Sequence, residues 1–248
     1  MSGVVPYLPL MLDCRAQPVL VVGAGKVAER KVLHMLEAGA HITVISPEAT
    51  AVLQQLAVTN KLCWWQRSFE TGDLSNGLSE TFTDGMTANA ADRPDCTSAS
   101  QSNVQRYLLV YAATSLPDVN RQVAEEAKRL GIPVNVADRH ELGTFINPAV
   151  IRRGRLVASV STSGAGPAIS RRIVRELEHY LDEDYELYME FMYHLRHHIK
   201  TMVHDPQERR RLLEHAATLD VLAQIRHKQF VWWDEQQIEQ WIIQYRGR

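Results

Sequence analysis

Apolar residues fall along this chain in short runs and in helical stripes, taken alternately. Pro18–Val22 (PVLVV) and His41–Ile45 (HITVI) are unbroken and rich in β-branched residues, the pattern of strands buried on both faces of a parallel sheet. Between them Ala28, Val32, Met35 and Leu36 recur at helical spacing until Gly39 stops the helix. The three segments predict a strand–turn–helix–strand unit of about 30 residues, the size of a βαβ crossover. Residues 51–57 (AVLQQLA) predict a short helix and 62–69 (LCWWQRSF) a third strand. From 75 to 103 the period vanishes among Ser, Thr, Asn, Asp, Gly and Ala, and the stretch reads as a mobile insertion. It returns at 107–114 (YLLVYAAT), a fourth strand, before a helix over 120–130, a capping Gly131 and a fifth strand over 133–137.

The style changes at Pro148. Residues 156–162 (LVASVST) predict a strand flanked by Arg152, Arg153 and Arg155, and 163–167 (SGAGP) a turn. Ile169, Ile173, Val174 and Leu177 then line one face of a helix, with Arg171, Arg172 and Arg175 off that face. From about 183 to 248 the chain reads as helix throughout, broken near Asp205-Pro206 and around Leu219, with Trp232, Trp233 and Trp241 as packing residues.

Composition narrows the class. With 248 residues, 45% hydrophobic and 23% charged, the chain is an ordinary globular one, neither disordered throughout nor collagen-like. Lys and Arg number 27 against 29 Asp and Glu, a net charge of -2, so no global basic field points to nucleic acid. A local anion site stays open, because net charge says nothing of clustering. Cys14, Cys63 and Cys96 are odd in number and widely spaced, which argues against a disulfide framework or a structural zinc site and fits a reducing cytoplasm. The first residues lack a basic stretch, and Pro6, Pro9 and Pro18 interrupt their apolar run, so neither a signal peptide nor a membrane helix is expected.

The chemistry begins at Gly23–Ala28 (GAGKVA), a G-x-G-x-x-A signature between a predicted buried strand and a predicted helix. Gly23 permits the tight turn, Ala24 and Gly25 let backbone approach a pyrophosphate, and Lys26 and Val27 open the helix whose N–H groups receive the phosphates. A glycine turn that serves packing alone is the competing reading. The second strand ends in Ser46, Pro47 and Glu48 where an acidic residue would bind the adenosine ribose. Ser46 can bond a ribose hydroxyl but repels no phosphate, so NADP is not excluded. Ala113 and Thr114 end the fourth strand, where small residues leave room for a cofactor and Thr114 can donate to it.

Asp138 stands at the carboxyl end of the fifth strand, the edge that faces the ligand crevice of an open α/β sheet. A carboxylate there can act as general base. It can equally cap the following turn, and His140 rivals it for proton transfer. The arginines bracket Ser161, Thr162, Ser163 and Gly164, which suggests a pocket for a polycarboxylate, or else a solvated face. His194, His197 and His198 have the i, i+3, i+4 spacing of a chelate, but with Tyr193 and Lys200 beside them they read as an exposed polar face, and no metal ligands are assigned.

Four segments together resemble the siroheme synthase N-terminal family, which joins precorrin-2 dehydrogenase to sirohydrochlorin ferrochelatase. They are VLVVGAGKVAERKVLHMLEAGAHITVISPE, YAATSLPDVNRQVAEEA, VNVADRHELGTFINPAVI and LVASVSTSGAGPAISRRIVRE, in family order over about 1–75 and 105–180. The resemblance implies a fold in three parts: a Rossmann-type NAD-binding parallel sheet over 1–147, a dimerisation region over 148–180 and an all-helical domain over 181–248. It implies oxidation of precorrin-2 to sirohydrochlorin with NAD in a cytoplasmic homodimer, and in many members insertion of ferrous iron as a further substrate. Gly23, Gly25, Val27 and Thr114 fall on cofactor-contacting positions, Asp138 on a carboxylate used in dehydrogenation, and the STSG turn with Arg171 on the substrate side. Thr162 stands where some members carry serine. The methyltransferase module of some relatives is not expected here, so methylation would come from a separate protein. A non-catalytic NAD(H)-sensing module is the alternative.

Overall fold

The computed structural model describes residues 7–75 and 106–246, and the expected insertion over 75–103 lies almost wholly outside them. Residues 7–147 and 148–246 pack as separate compact units.

In the first unit five strands, β1 (Pro18–Val22), β2 (His41–Ile45), β3 (Cys63–Trp65), β4 (Leu109–Ala112) and β5 (Val134–Val136), form one sheet in the order β3-β2-β1-β4-β5. All four pairings are parallel. The β-branched runs are buried on both faces, and their alternation splits the core. Val19 and Val21 join Ile42, Val44 and Tyr111 beneath α1 (Lys26–Glu37) and α2 (Ala51–Val58). Leu20 and Val22 join Val110, Ala112, Val134 and Val136 beneath α3 (Pro117–Leu130). The chain thus crosses from one face to the other between β3 and β4, which makes the gap between β1 and β4 the topological switch point of the sheet.

Expected and observed elements differ mostly at their ends. The third strand is three residues long, and α3 starts at Pro117, where proline's fixed φ and missing N–H suit a first helical position. Gly131, with φ +71, ends α3 as expected.

The second unit opens with an antiparallel hairpin, β6 (Ala149–Arg153) and β7 (Leu156–Val160), turning at Gly154 with φ +53. β6 corrects the sequence reading, which took Arg152 and Arg153 as mere flanks. The strand was hidden because of its side chains only Ile151 is buried. Next come α4 (Pro167–Tyr180), α5 (Asp184–Met202), α6 (Pro206–Ala216), α7 (Val221–Arg226) and α8 (Glu235–Tyr245). The breaks near 205 and 219 are present, and a further one at 227–234 separates α7 from α8. Phe191, Leu195, Ile199, Leu212, Ile238 and Ile242 are the buried centre of the helices. Trp241 packs there, whereas Trp232 is 41% exposed and meets Phe191 edge-on at 5.6 Å and His194 at 5.5 Å between ring centroids. No described helix is long and apolar enough to cross a membrane.

Asp234 starts α8 with a reciprocal capping box: its carboxylate accepts from Gln237 N–H at 2.8 Å, and the Gln237 side chain accepts from Asp234 N–H at 2.9 Å. Asp234→Ala is expected to destabilise the helical unit by about 1 kcal/mol, seen as a lower midpoint in chemical denaturation.

Candidate nucleotide-binding and proton-transfer site

Gly23 directly follows β1 and Ala113 directly follows β4, side by side at the switch point. Gly23 has φ +102, and a Cβ there would stand 2.5 Å from the Ala113 carbonyl oxygen, so dihedral and space both demand glycine. Gly23 N–H donates to the Ile45 carbonyl and Ala113 N–H to the Val22 carbonyl, each at 2.8 Å, which locks three strand ends together.

Gly25 is the N-cap of α1. A Cβ on it would meet no atom within 4 Å, and no side chain caps the helix. The exposed Lys26 and Val27, whose N–H groups have no helical partner, and the positive end of the helix dipole therefore face open space. Ala24 is buried, while Lys26 and Val27 are exposed. The carboxylate of the first turns, Glu29, is held below the usual range by the Thr50 hydroxyl and then by the Lys26 ammonium, whose Nζ lies 3.1 Å away. Room, uncapped amides and an engaged carboxylate fit a dinucleotide pyrophosphate. Beyond β2, Ser46 uses its backbone to bond Trp65 and Trp64, and its hydroxyl has no protein partner among the described residues. Pro47 and Glu48 beside it are exposed.

Thr114 and Asp138 are joined by a residue the sequence reading passed over. Asn120, 1% exposed, lies on α3 in register with buried Val123, Ala124 and Ala127. Its Oδ1 accepts from Thr114 N–H at 3.0 Å and from the Thr114 hydroxyl at 2.8 Å. Its Nδ2 donates to the Thr114 carbonyl at 3.1 Å and to Asp138 Oδ1 at 3.0 Å. The Thr114 hydroxyl also accepts from Leu116 N–H at 3.1 Å. Its proton is therefore engaged within the loop, contrary to the expectation that it would be offered to the cofactor. Asp138 itself is exposed, with one oxygen tethered and the other without a protein partner among the described residues. His140, its rival, is exposed and turned to Glu141, 3.5 Å away. An asparagine on the apolar stripe of a helix was the legible signal for Asn120.

Lys31 was also missed. Its Nζ donates to Asn135 Oδ1 at 2.7 Å and lies 4.9 Å from the Tyr111 ring centroid. Burial, with a smaller contribution from the Arg30 charge, pushes its amine down to about 8. Burial likewise pushes the Tyr111 phenol up to about 12.

The remaining candidates belong to the second unit. Ser161–Gly164 lead into α4, with Ser163 at φ 47 and Gly164 at φ 99, and Ser163 N–H donates to the Ser161 hydroxyl at 3.3 Å. Thr162 reaches toward the Gly166 carbonyl at 3.5 Å, and Arg171 Nε donates to the Pro167 carbonyl at 3.2 Å. Arg155 and Arg172 are paired with Glu190 and Glu176. His194 and His198 meet edge-on at 4.4 Å between ring centroids, and burial and then the His198 charge push His194 below the usual imidazole range. His198 lies 3.9 Å from Glu235, and His197 is exposed. No group of three or more His, Cys, Asp or Glu among the described residues is placed to hold a metal ion.

Residues 10–149 match the model of a family described as "Putative NAD(P)-binding". Relatives include siroheme synthases of Nitrosospira multiformis, 34% identical over 84% of this chain and 39% of the relative, and of Methylococcus capsulatus, 34% identical over 84% and 38%. The siroheme synthase of Neisseria meningitidis is 27% identical over 97% of this chain and 44% of its own. The chain spans about two fifths of the length of these relatives. A solved structure described as "SirC, precorrin-2 dehydrogenase" superposes with a TM-score of 0.66 at 24% identity, covering 98% of this chain and 100% of its own, and so shares the fold. The chain belongs to this NAD(P)-binding family, and it is similar to part of these siroheme synthases.

Asn120→Ala is expected to weaken NADH binding about tenfold, equivalent to about 1.4 kcal/mol, in a nicotinamide fluorescence titration, because it frees the end of β4. For Lys31 the sign follows from a folded pKa below the unfolded one. The folded chain holds fewer protons between about 8 and the ordinary lysine value of 10.5, so stability rises with pH across that window. Wild type is expected to gain denaturation midpoint relative to Lys31→Met between pH 7 and pH 10, since methionine has no proton to lose.

Proposed function

We propose that this chain oxidises precorrin-2 to sirohydrochlorin with NAD, in siroheme synthesis. The observation that carries the reading is Asp138, held by Asn120 through one oxygen at the same sheet edge as the uncapped start of α1. The family assignment and the siroheme synthase relatives supply the substrate class.

The chemistry divides between nucleotide and protein. When bound, NAD would supply a hydride acceptor. The amides of Lys26 and Val27 would hold the pyrophosphate, and Gly25 would admit it without a clash. Ser46 bonds the adenosine ribose, and Ala113 with Thr114 forms the floor of the crevice. Asp138 takes the substrate proton on its untethered oxygen while Asn120 keeps the carboxylate from turning away. Precorrin-2 carries eight carboxylate arms, for which Ser161, Thr162, Ser163, Gly164 and Arg171 supply hydroxyl, amide and guanidinium donors on the second unit.

The same reading includes a homodimer. α4 has a strongly amphipathic sequence yet no buried residue within the chain, and Ile169 is 47% exposed. A second copy covering α4 and the β6–β7 hairpin accounts for that stripe. A cytoplasmic location accords with three cysteines that are odd in number and widely spaced. Ferrous iron insertion, as a second activity on sirohydrochlorin, is tested by supplying iron and sirohydrochlorin without NAD.

Asp138→Asn is expected to lower dehydrogenation of precorrin-2 at least tenfold, roughly the smallest loss for a missing general base, with NADH affinity unchanged. Absorbance of the sirohydrochlorin product reads the rate. Near-normal turnover in the variant would remove Asp138 from the reaction. Tight NADH binding by the wild type with no turnover at all would favour the sensing module instead.

A further inference from the structure

The second unit carries a concentration of positive charge that the proposed reaction leaves unused. α5 and α6 are joined by only Val203, His204 and Asp205, so they fold back on each other. Leu195 and Ile199 of α5 and Leu212 and Ala216 of α6 face the core. Arg196 and Lys200 each stand one residue beyond the buried positions of α5. With Arg209, Arg210, Leu213 and Glu214 of α6 they line a depression of about 540 Å³. That volume lies in the range of small-molecule sites, about 300–1,000 Å³.

The charges around it are unbalanced. Glu214 is bound to Arg210 at 2.8 Å, and Glu208, the other acidic residue of α6, turns to Arg246 at 3.1 Å. Arg196, Lys200 and Arg209 have no carboxylate partner among the described residues. Arg196 and Lys200 are like charges at i, i+4, an arrangement that works against a helix. Arg209 and Arg210 lie within the first turns of α6, where the helix dipole already presents its positive end. This occurs on a chain whose formal net charge is -2. Every one of these unfavourable terms is relieved by the same thing, an anion between the two helices.

We propose that the α5–α6 depression binds a compact polyanion, a small molecule with two or more carboxylate or phosphate groups, at a site separate from the nucleotide crevice. Guanidinium groups bind either anion through paired N–H donors, and Lys200 adds a point charge. No aromatic ring among the described residues lines the site to stack a base, and the half-buried Leu213 offers only a small apolar floor. A polyphosphate or tricarboxylate fits this lining better than a nucleotide or a nucleic acid strand.

Calorimetric titration of the full chain at low ionic strength, with tripolyphosphate and with citrate as probes, tests the proposal. Saturating NADH is present throughout, to keep the probes from the amides of α1. One saturable site is expected, weakened at least tenfold in the Arg196→Ala, Lys200→Ala, Arg209→Ala triple variant, with NADH affinity unchanged. Glu214→Gln, which releases Arg210 and removes the opposing charge, is expected to tighten binding about threefold. Binding of tripolyphosphate alone assigns the site to phosphates, and of citrate alone to carboxylates. No saturable heat with either probe, or equal binding by the wild type and the triple variant, overturns the proposal.

Discussion

The first unit depends on how closely two parallel strands approach where their ends meet. Gly23 lies against the Ala113 carbonyl, and no side chain can be placed between them. That contact sets β1 beside β4 and aims the following turn so that α1 starts over the sheet edge with its amides free. Had a larger residue forced the strands apart, the Gly23 and Ala113 bonds to neighbouring strand ends would go with them. The close approach of these strand ends thus depends on a missing methyl group.

Much of this was legible in the residues because local and global signals agree. PVLVV followed by GAG is a buried strand ending in a turn that only glycine can make, and the following helix shows its apolar stripe at once. The hairpin was harder. β6 has one buried side chain and three arginines around it, so the alternation that marks a strand is too short to stand out. α8 escaped for the opposite reason: its neighbours are helical too, and the break before it holds no glycine or proline.

The site residues divide in the same way. Gly23 and Gly25 declare themselves by type, and Asp138 by its place after a strand. Asn120 and Lys31 do not, because each acts through a partner distant in the sequence, Asp138 in one case and Asn135 in the other. A polar residue on a buried helix face announces that some partner exists, but only the fold supplies its identity. The Thr114 hydroxyl shows the reverse: correctly located at the strand edge, it is occupied by groups that sequence order could not reveal.

The Asn120 amide has a mechanical consequence. Turned over, it would set its NH₂ against the Thr114 N–H and its oxygen against the Asp138 carboxylate, so it has a single workable orientation. The loops after β4 and β5 are therefore pinned to one rigid key set in α3. A ligand that tugs the acidic loop must also tug the threonine loop, and the two shift in step.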